Sequence, residues 1–405
     1  ETSLSASINL FDWAFFGSDL YTVADNGSSE MHLYKINPTN GNITDLGAAG
    51  IPVGSPWGSI FIDAAGFLYA ANNADVDPNI YRLDLNSIAG NVYTSSGNTE
   101  AFSYLTGGPF LSNDGAMCPT AIVYLDFGDA PNTYGTTLGV DGARHFLANY
   151  NPGANTNNLM LGGTVDDESD GVPSTMANSD GNDNGITWPP KLVVGDTYSA
   201  TSVSVTNTTG GNAYLNAWID FDNDGIFESG EQITNDLVVA NGATSVNLTS
   251  FTVPSGAIVG TTFARIRICD GINDCDSPIG SATNGEVEDY QVTLGCKVPG
   301  SNGTSEICEG ETATQNLYDV ITGEDTGGSW ALTTGTGVTV GDGTAVNFSG
   351  ADAGDYVFTY TIAASGSCPL STATATVTVT ELLVAGGNGT SEICEGETAT
   401  QNLYD

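Results

Sequence analysis

The stretch AYLNAWIDFDNDGIFESGEQI, residues 213–233, joins an apolar run to an acidic loop. Within it, DFDNDGIFESGE (220–231) matches the calcium-loop pattern D-x-[DN]-x-[DN]-G-x₅-E at every fixed position. The entering residues AYLNAWIDF are mostly aromatic or apolar, which favours a β-strand over an amphipathic helix. Because such a loop needs only converging ends, the sequence predicts a calcium loop at the turn of a β-hairpin.

Calcium takes about six to eight oxygen ligands, which alternating aspartates on a tight loop can supply. Gly225 permits the sharp turn that the loop requires. A solvated acidic hairpin is the alternative. The predicted ligands are Asp220, Asp222, Asp224, the main-chain carbonyl of Ile226 and a bidentate Glu231.

The charge balance of the chain is strongly acidic. There are 48 acidic against 7 basic side chains, a formal net charge of −41. Nucleic acid is excluded as a partner, and an anionic membrane surface is a poor one, because like charges repel. Self-repulsion of this size favours bound divalent cations, a salty medium, or both.

The residue pattern predicts an all-β fold. β-Branched runs recur between Gly, Asn and Asp turns, and long helical periodicities are missing. Nowhere do 18 consecutive apolar residues occur, so no membrane insertion is expected. The start, ETSLSASINL, lacks the features of a secretion signal, so any signal or anchor is expected outside this chain.

A long near-identical repeat marks tandem modules. GSNGTSEICEGETATQNLYD ends at Asp319 and returns as GGNGTSEICEGETATQNLYD ending at Asp405, a period of 86 residues. We expect an immunoglobulin-like β-sandwich over 297–384 and the start of the next one over 385–405. The natural polypeptide is expected to continue, or the tail to be completed by another chain.

The module has the features of such a sandwich. In STATATVTVT, alanines and valines occupy one face and threonines the other. Trp330 is the expected core aromatic, and Tyr356 resembles the corner tyrosine of these folds.

A weaker repeat occupies the N-terminal part. DLYTVADNG, with Tyr21, aligns with FLYAANNAD, with Tyr69, and Tyr34 aligns with Tyr81. The spacing is close to one blade of a β-propeller, so propeller-like blades are expected over 1–121, truncated at the N-terminus. An open β-sheet layer is the alternative.

The cysteines predict disulfides, because the chain has no C-x-x-C pair and its histidines are only His32 and His145. Cys269 and Cys275 are expected to close a short hairpin. Cys308 and Cys368 are expected to form a bridge within the module. Three cysteines stay unassigned, with a bridge between the first two left open: Cys118, Cys296 and Cys394.

Further carboxylates crowd into turn-rich sequence before the hairpin. They form a second cation site or a merely solvated acidic loop. Their residues are Asp166, Asp167, Glu168, Asp170, Asp180 and Asp183. The acids of two further motifs, DFGDAP and GEVEDY, either complete such sites or pair with Arg265 and Arg267. We expect an ion pair for at least one of the two motifs. The acids are Asp126, Asp129, Glu286, Glu288 and Asp289.

Residues 122–296 carry four motifs: YLDFGDAPNTYGT (124–136), LGGTVDDESDGVP (161–173), the acidic loop, and ARIRICDG followed by NGEVEDY (284–290). Together they resemble the GEVED domain of large bacterial surface proteins, and we expect a central calcium-binding β-sandwich over this range. The resemblance implies an extracellular, adhesin-like protein on a bacterial cell surface, exported by type IX secretion. It implies no catalytic activity.

Three functions compete at this stage. The first is a non-enzymatic structural and adhesive segment that calcium rigidifies, whose glycan or protein ligand is unknown. The second is a carbohydrate-binding or glycan-processing module, although no acid pair stands out as catalytic. The third is a filament subunit in which the tail 386–405 adds as a strand to a neighbour.

Overall fold

The computed structural model describes residues 4–53, 57–72, 79–94, 100–103, 122–310 and 314–381. The chain divides into two compact units, residues 1–296 and residues 297–405. Cys118, Cys394 and the repeat start at 385–405 lie outside the described residues. The expected domain limits at 121/122 and 384/385 stay predictions.

Strands make up nearly all the regular structure, so the predicted all-β class is confirmed. The described residues contain no α-helix, and none of their helices could span a membrane. The short helices are 3₁₀ turns at Leu85–Ser87, Asn132–Tyr134, Leu138–Val140, Ser229–Glu231 and Leu317–Asp319.

Two antiparallel four-stranded sheets precede residue 104. The first follows chain order and consists of β1 (Ala14–Phe16), β2 (Asp19–Asp25), β3 (Met31–Ile36) and β4 (Ile43–Ala48). The second sheet has the order β10, β7, β6, β5. A separate small hairpin, β8–β9, comes between β7 and β10 along the chain. The bounds are β5 (Trp57–Ile62), β6 (Phe67–Asn72), β7 (Asn79–Asp84), β8 (Ile88–Ala89), β9 (Val92–Tyr93) and β10 (Glu100–Ser103).

The weak sequence repeat corresponds to equivalent strands of these two sheets. Tyr21 and Tyr69 lie in β2 and β6, and Tyr34 and Tyr81 lie in β3 and β7. Both sheets contribute to one apolar cluster in which Trp57 is almost fully buried. Closure of such sheets into a propeller stays a prediction.

A five-stranded sheet organises residues 122–296, in the order β14, β23, β21, β17, β18. Three-stranded sheets β11-β12-β22 and β13-β16-β19 and the pair β15-β20 complete this part. The bounds are β11 (Leu125–Phe127), β12 (Arg144–Phe146), β13 (Leu159–Leu161), β14 (Leu192–Val193), β15 (Thr197–Tyr198), β16 (Ser202–Asn207), β17 (Ala213–Ile219), β18 (Gln232–Val239), β19 (Ser245–Asn247), β20 (Phe251–Thr252), β21 (Gly260–Cys269), β22 (Ser281–Ala282) and β23 (Gly285–Gly295).

Two features of this sheet position the candidate sites. Strand β17 lies between β18 and β21, and its side chains other than Tyr214 are buried. Strand β23 pairs with β21 from Gly285 to Leu294, but β14 covers its other edge only at Leu294 and Gly295. Among the described residues, no strand therefore pairs with that edge between Glu286 and Asp289.

The second unit is a separate β-fold with the sheet order β24, β29, β28, β26 and a pair β25-β27. Strands β24 and β29 run parallel. Its core contains Trp330, and the Tyr356 hydroxyl donates to the Asp352 carbonyl at 3.0 Å, as a corner tyrosine would. The bounds are β24 (Gly303–Cys308), β25 (Thr314–Gln315), β26 (Ser329–Thr334), β27 (Val346–Asn347), β28 (Gly354–Ile362) and β29 (Ser371–Thr380).

The bridge predicted between Cys308 and Cys368 is wrong, because Cys308 is free and exposed. Cys308 pairs with Thr380 at the far end of β29, whereas Cys368 precedes the first residue of that strand. At about 3.3 Å per residue, this separation is several times the span of a disulfide. Cys368 and Cys296 are both disulfide-bonded.

Candidate metal sites

The acidic loop lies at the turn of the β17–β18 hairpin, where a strand enters it as the sequence predicts. Trp218 pairs with Gln232, so the ends of the loop converge next to the sheet. A single 3₁₀ turn, Ser229–Glu231, precedes β18. The loop is thereby held between two paired strands.

Asp220 and Glu231 organise the interior of this loop. Asp220 is fully buried and accepts hydrogen bonds from the Tyr134 hydroxyl at 2.6 Å and from the Gly225 amide at 3.2 Å. Glu231 accepts from the amides of Phe221 at 2.6 Å and Glu228 at 3.1 Å. These contacts fix both carboxylates against the backbone, which preorganises them for a cation.

The backbone of the loop takes the conformations that its sequence permits. Gly225 has φ 91° and Asn223 has φ 57°, both in the left-handed region. Asp224 accepts from the Ile226 amide at 3.0 Å and Asp222 from the Asp224 amide at 3.3 Å. Each aspartate thus closes a short turn around the loop.

The predicted ligands fall into two overlapping groups. Carboxylate oxygens of Asp220, Asp222 and Glu231 lie within 4.8 Å of one another, and so do those of Asp222, Asp224 and Glu228. Glu228 was not predicted, although it occupies the ninth loop position, which often contributes through water. The role of the Ile226 carbonyl stays a prediction.

The electrostatics of the loop favour a bound cation. Burial raises the pKa of Glu231 to about 7, and the Asp220 charge adds to this, although backbone amides oppose it. A divalent ion would remove the penalty for holding these carboxylates ionised side by side. The hard oxygen donors of the loop fit calcium.

The second predicted group is brought together only in part. Oxygens of Asp166, Glu168 and Asp180 lie within 4.8 Å of one another. Asp170 instead accepts from the amides of Leu138 at 2.7 Å and Gly171 at 2.8 Å.

Two further members of that group also have other contacts. Asp167 is exposed and forms a hydrogen bond with Tyr150, whose pKa is raised by burial and then by this contact. Asp183 accepts from the Asp289 amide at 3.2 Å on the open edge of β23.

The expected ion pair forms between Arg265 and Asp289, which face each other across β21 and β23. Their two contacts are both 2.7 Å, and neither side chain is exposed. Arg265 also donates to the carbonyls of Tyr134, Gly135 and Pro278. This bidentate pair ties the segment after β11 to the main sheet.

Arg267 uses different partners. Its Nε donates to His145 Nε2 at 3.1 Å, and its other nitrogens donate to main-chain carbonyls. Burial, followed by the nearby arginines, lowers the pKa of Arg267 to about 9. The other histidine, His32, lies on the first sheet, where its Nδ1 is 2.8 Å from Asp45 Oδ1.

The structure contains the disulfide predicted between Cys269 and Cys275. Both residues are fully buried, and they close the turn that follows β21. Within this turn Asp274 accepts from the Thr283 amide at 2.7 Å. The bridge holds the turn next to the start of β23.

Two family models match parts of this chain. Residues 214–293 match the GEVED domain, and residues 1–120 match a repeat of unknown function, DUF6923. None of the curated proteins matches.

Among solved structures, similarity is weak. The endo-fucoidan hydrolase MfFcnA4 from glycoside hydrolase family 107 is 15% identical at a TM-score of 0.21, over 54% of this chain and 33% of that one. Fibronectin(III)-like modules of Clostridium thermocellum CbhA are 10% identical at 0.17, over 49% of this chain and 94% of theirs. This chain spans about a third of the length of MfFcnA4 and of a second such hydrolase, MfFcnA9. The family matches identify a GEVED domain at residues 214–293, preceded over residues 1–120 by a DUF6923 repeat.

Proposed function

We propose that this chain is a non-enzymatic structural and adhesive segment of a large extracellular bacterial surface protein, exported by type IX secretion, and that calcium rigidifies it. One observation carries the proposal: the loop of the β17–β18 hairpin brings Asp220, Asp222 and Glu231 within reach of one cation. The calcium would join the ends of β17 and β18. The loop would then act as a fixed clamp between strands.

The rest of the chain supports an extracellular spacer. Its disulfides favour an oxidising compartment. The near-identical repeat ending at Asp319 and again at Asp405 is typical of tandem modules that extend a binding region away from a surface. Extracellular calcium is abundant enough for sites of modest affinity to stay occupied.

The glycan-processing alternative and the strand-addition filament have less support. The likeness to glycoside hydrolases carries no argument at a TM-score of 0.21. The tail at 386–405 on which the filament depends lies outside the described residues.

Two measurements test the proposal on the full chain. Calorimetry in calcium and in chelator should show a lower unfolding temperature without calcium, and the double variant Asp220→Asn/Glu231→Gln should show a clearly smaller difference than the parent. A glycan array combined with a polysaccharide hydrolysis screen should give binding without turnover. Release of reducing ends would contradict the non-enzymatic proposal, and equal unfolding temperatures would contradict the calcium clamp.

A further inference from the structure

A second set of carboxylates lies along the open edge of β23, outside the hairpin loop. Three of them share one arrangement, in which one oxygen accepts from a backbone amide and the other has no partner among the described residues. Asp126 accepts from Val287 at 2.7 Å, and Asp129 accepts from Asp180 at 3.0 Å. The third, Asp183, accepts from Asp289 on the same edge.

The unpartnered oxygens are deeply buried. Asp126 is 0% exposed and Asp129 is 2% exposed, and each has one oxygen without a hydrogen bond. Asp166 also carries such an oxygen. A carboxylate that loses its hydration without a replacement is strongly unfavourable, so each of these oxygens requires a positively charged or donor partner.

Asp126 and Asp129 lie beside the triad of Asp166, Glu168 and Asp180. Asp129 accepts from the Asp180 amide at 3.0 Å, and Glu168 accepts at 3.1 Å from the amide of Phe127, the residue after Asp126.

In the described part of the chain, the group has no direct ion-pair partner, although Arg265 and Arg267 are near Asp129 and Asp126. Within the described ranges, none of these acids forms an ion pair with a lysine or arginine. Arg265 is held by Asp289.

We propose that Asp166, Glu168 and Asp180, whose oxygens lie within 4.8 Å of one another, hold a second calcium ion, and that Asp126, Asp129 and Asp183 turn their free oxygens to it. Because Asp126 and Asp183 also accept from Val287 and Asp289, the site would fasten the edge of β23 to the segments before the GEVED domain. This inference rests on the proposed calcium-dependent function but concerns different residues from the hairpin loop. Asp126 and Asp129 are the new ligands, because they supply buried oxygens that no other described group satisfies.

The donor chemistry selects a hard cation. Every candidate ligand is a carboxylate oxygen, and His145, the nearest histidine in sequence to the new ligands, accepts from Arg267. Calcium tolerates the irregular geometry and large number of oxygens that such a crowded site offers, whereas magnesium requires a near-ideal octahedron. The calcium ion would join the segments at residues 126–129 and 166–183, and Asp126 carries this link to β23 through its hydrogen bond from the Val287 amide.

Bound calcium per chain tests the proposal directly. The full chain is stripped with chelator and dialysed against calcium, and bound metal is measured by atomic absorption. The Asp220→Asn/Glu231→Gln variant should still bind calcium, and adding Asp126→Asn/Asp180→Asn should remove one further ion per chain. If the second pair of substitutions leaves the count unchanged, the site proposed here is overturned.

Thermal unfolding gives a second, independent test with Asp126→Asn, whose amide oxygen can still accept from Val287. In calcium, this variant should unfold several degrees below the parent. In chelator it should unfold above the parent, because a buried charge has been removed. A shift of the same sign in both conditions would indicate a packing role alone and would overturn the proposal.

Controls separate this inference from the hairpin clamp. Asp276→Asn changes an exposed aspartate of the same unit and should shift neither the calcium count nor the unfolding temperature. Should Asp126→Asn fail to fold, Asp166→Asn is measured in its place with the same expected reversal of sign. If the hairpin clamp alone is wrong, Asp220→Asn/Glu231→Gln will leave the count at its parental value while the second pair still lowers it.

Discussion

Residues 122–296 and residues 297–381 are both built of β-strands, but their interiors differ. The first buries charge, including Asp126, Arg265 and Glu286. In the described part of the second, no charged side chain is buried, and its core is formed by aromatic residues such as Phe348, Phe358 and Tyr360.

This difference shows two ways to stabilise turn-rich β-structure. An aromatic core stabilises the fold in any solvent that permits the hydrophobic effect. A carboxylate interior depends on a partner ion and is therefore conditional on the medium. We expect the first region to respond to calcium and the second to ignore it.

Removal of calcium should give the largest effect. A site whose free calcium is about 1,000 times its Kd adds roughly 4 kcal/mol of stability, so two sites would add about 8. Chelator should lower the calorimetric transition of the 1–296 unit by many degrees and leave that of the other unit in place. Equal shifts of both transitions would remove the contrast between the regions.

Truncation of the aromatic core should destabilise the second unit to the same extent with and without calcium. Phe358→Ala removes a fully buried ring that packs edge-on against Phe348, at a cost of about 4 kcal/mol. The loss should be the same in calcium and in chelator, as measured by denaturant unfolding. Thr372→Ala, on the exposed face of β29, is the matched control and should change stability by less than about 0.5 kcal/mol.

Loss of the local disulfide should have an intermediate effect. Replacing Cys269 and Cys275 by alanine should destabilise the first unit by about 2 kcal/mol, as expected for a very short loop. Cys308→Ala in the second unit removes an exposed free thiol and should have almost no effect. Comparable losses in the two variants would argue against the bridge as a stabilising link.

The smallest effect concerns pH. Burial lowers the pKa of His32, but hydrogen bonds to Asp45 and Glu30 outweigh it and raise the pKa above 6.5. Its stabilisation is complete below pH 6.5 and is lost as the pH rises through the folded-state pKa. The contacts are partly exposed, so we expect less than about 1 kcal/mol, measured in saturating calcium against His32→Gln. An identical pH profile for the variant would exclude this contribution.

Sequence reasoning succeeded where the determinants are local. The hairpin loop could be predicted because its acids lie within residues 220–231, and spacing along the chain there fixes proximity in space. The alternation of residues in β29 likewise predicted which face is buried. Glu228 could have been found from its position in the same pattern.

Long-range geometry could not be predicted in the same way. The approach of Asp129 to Asp180, 51 residues apart, depends on how loops cross the sheet edge, which no local pattern encodes. The bridge between Cys308 and Cys368 is predicted because both residues lie within one module. Membership of a module carries no information about strand direction, and the parallel pairing of β24 with β29 separates the two residues.

The parallel pairing of β24 and β29 also has a mechanical consequence. In the 297–381 module, a chain that enters before Gly303 leaves after Thr380 at the opposite end of the strand pair. Tension along a string of such modules would act on these two strands in shear, so the ladder joining six residue pairs would resist together and could not open bond by bond like a zipper.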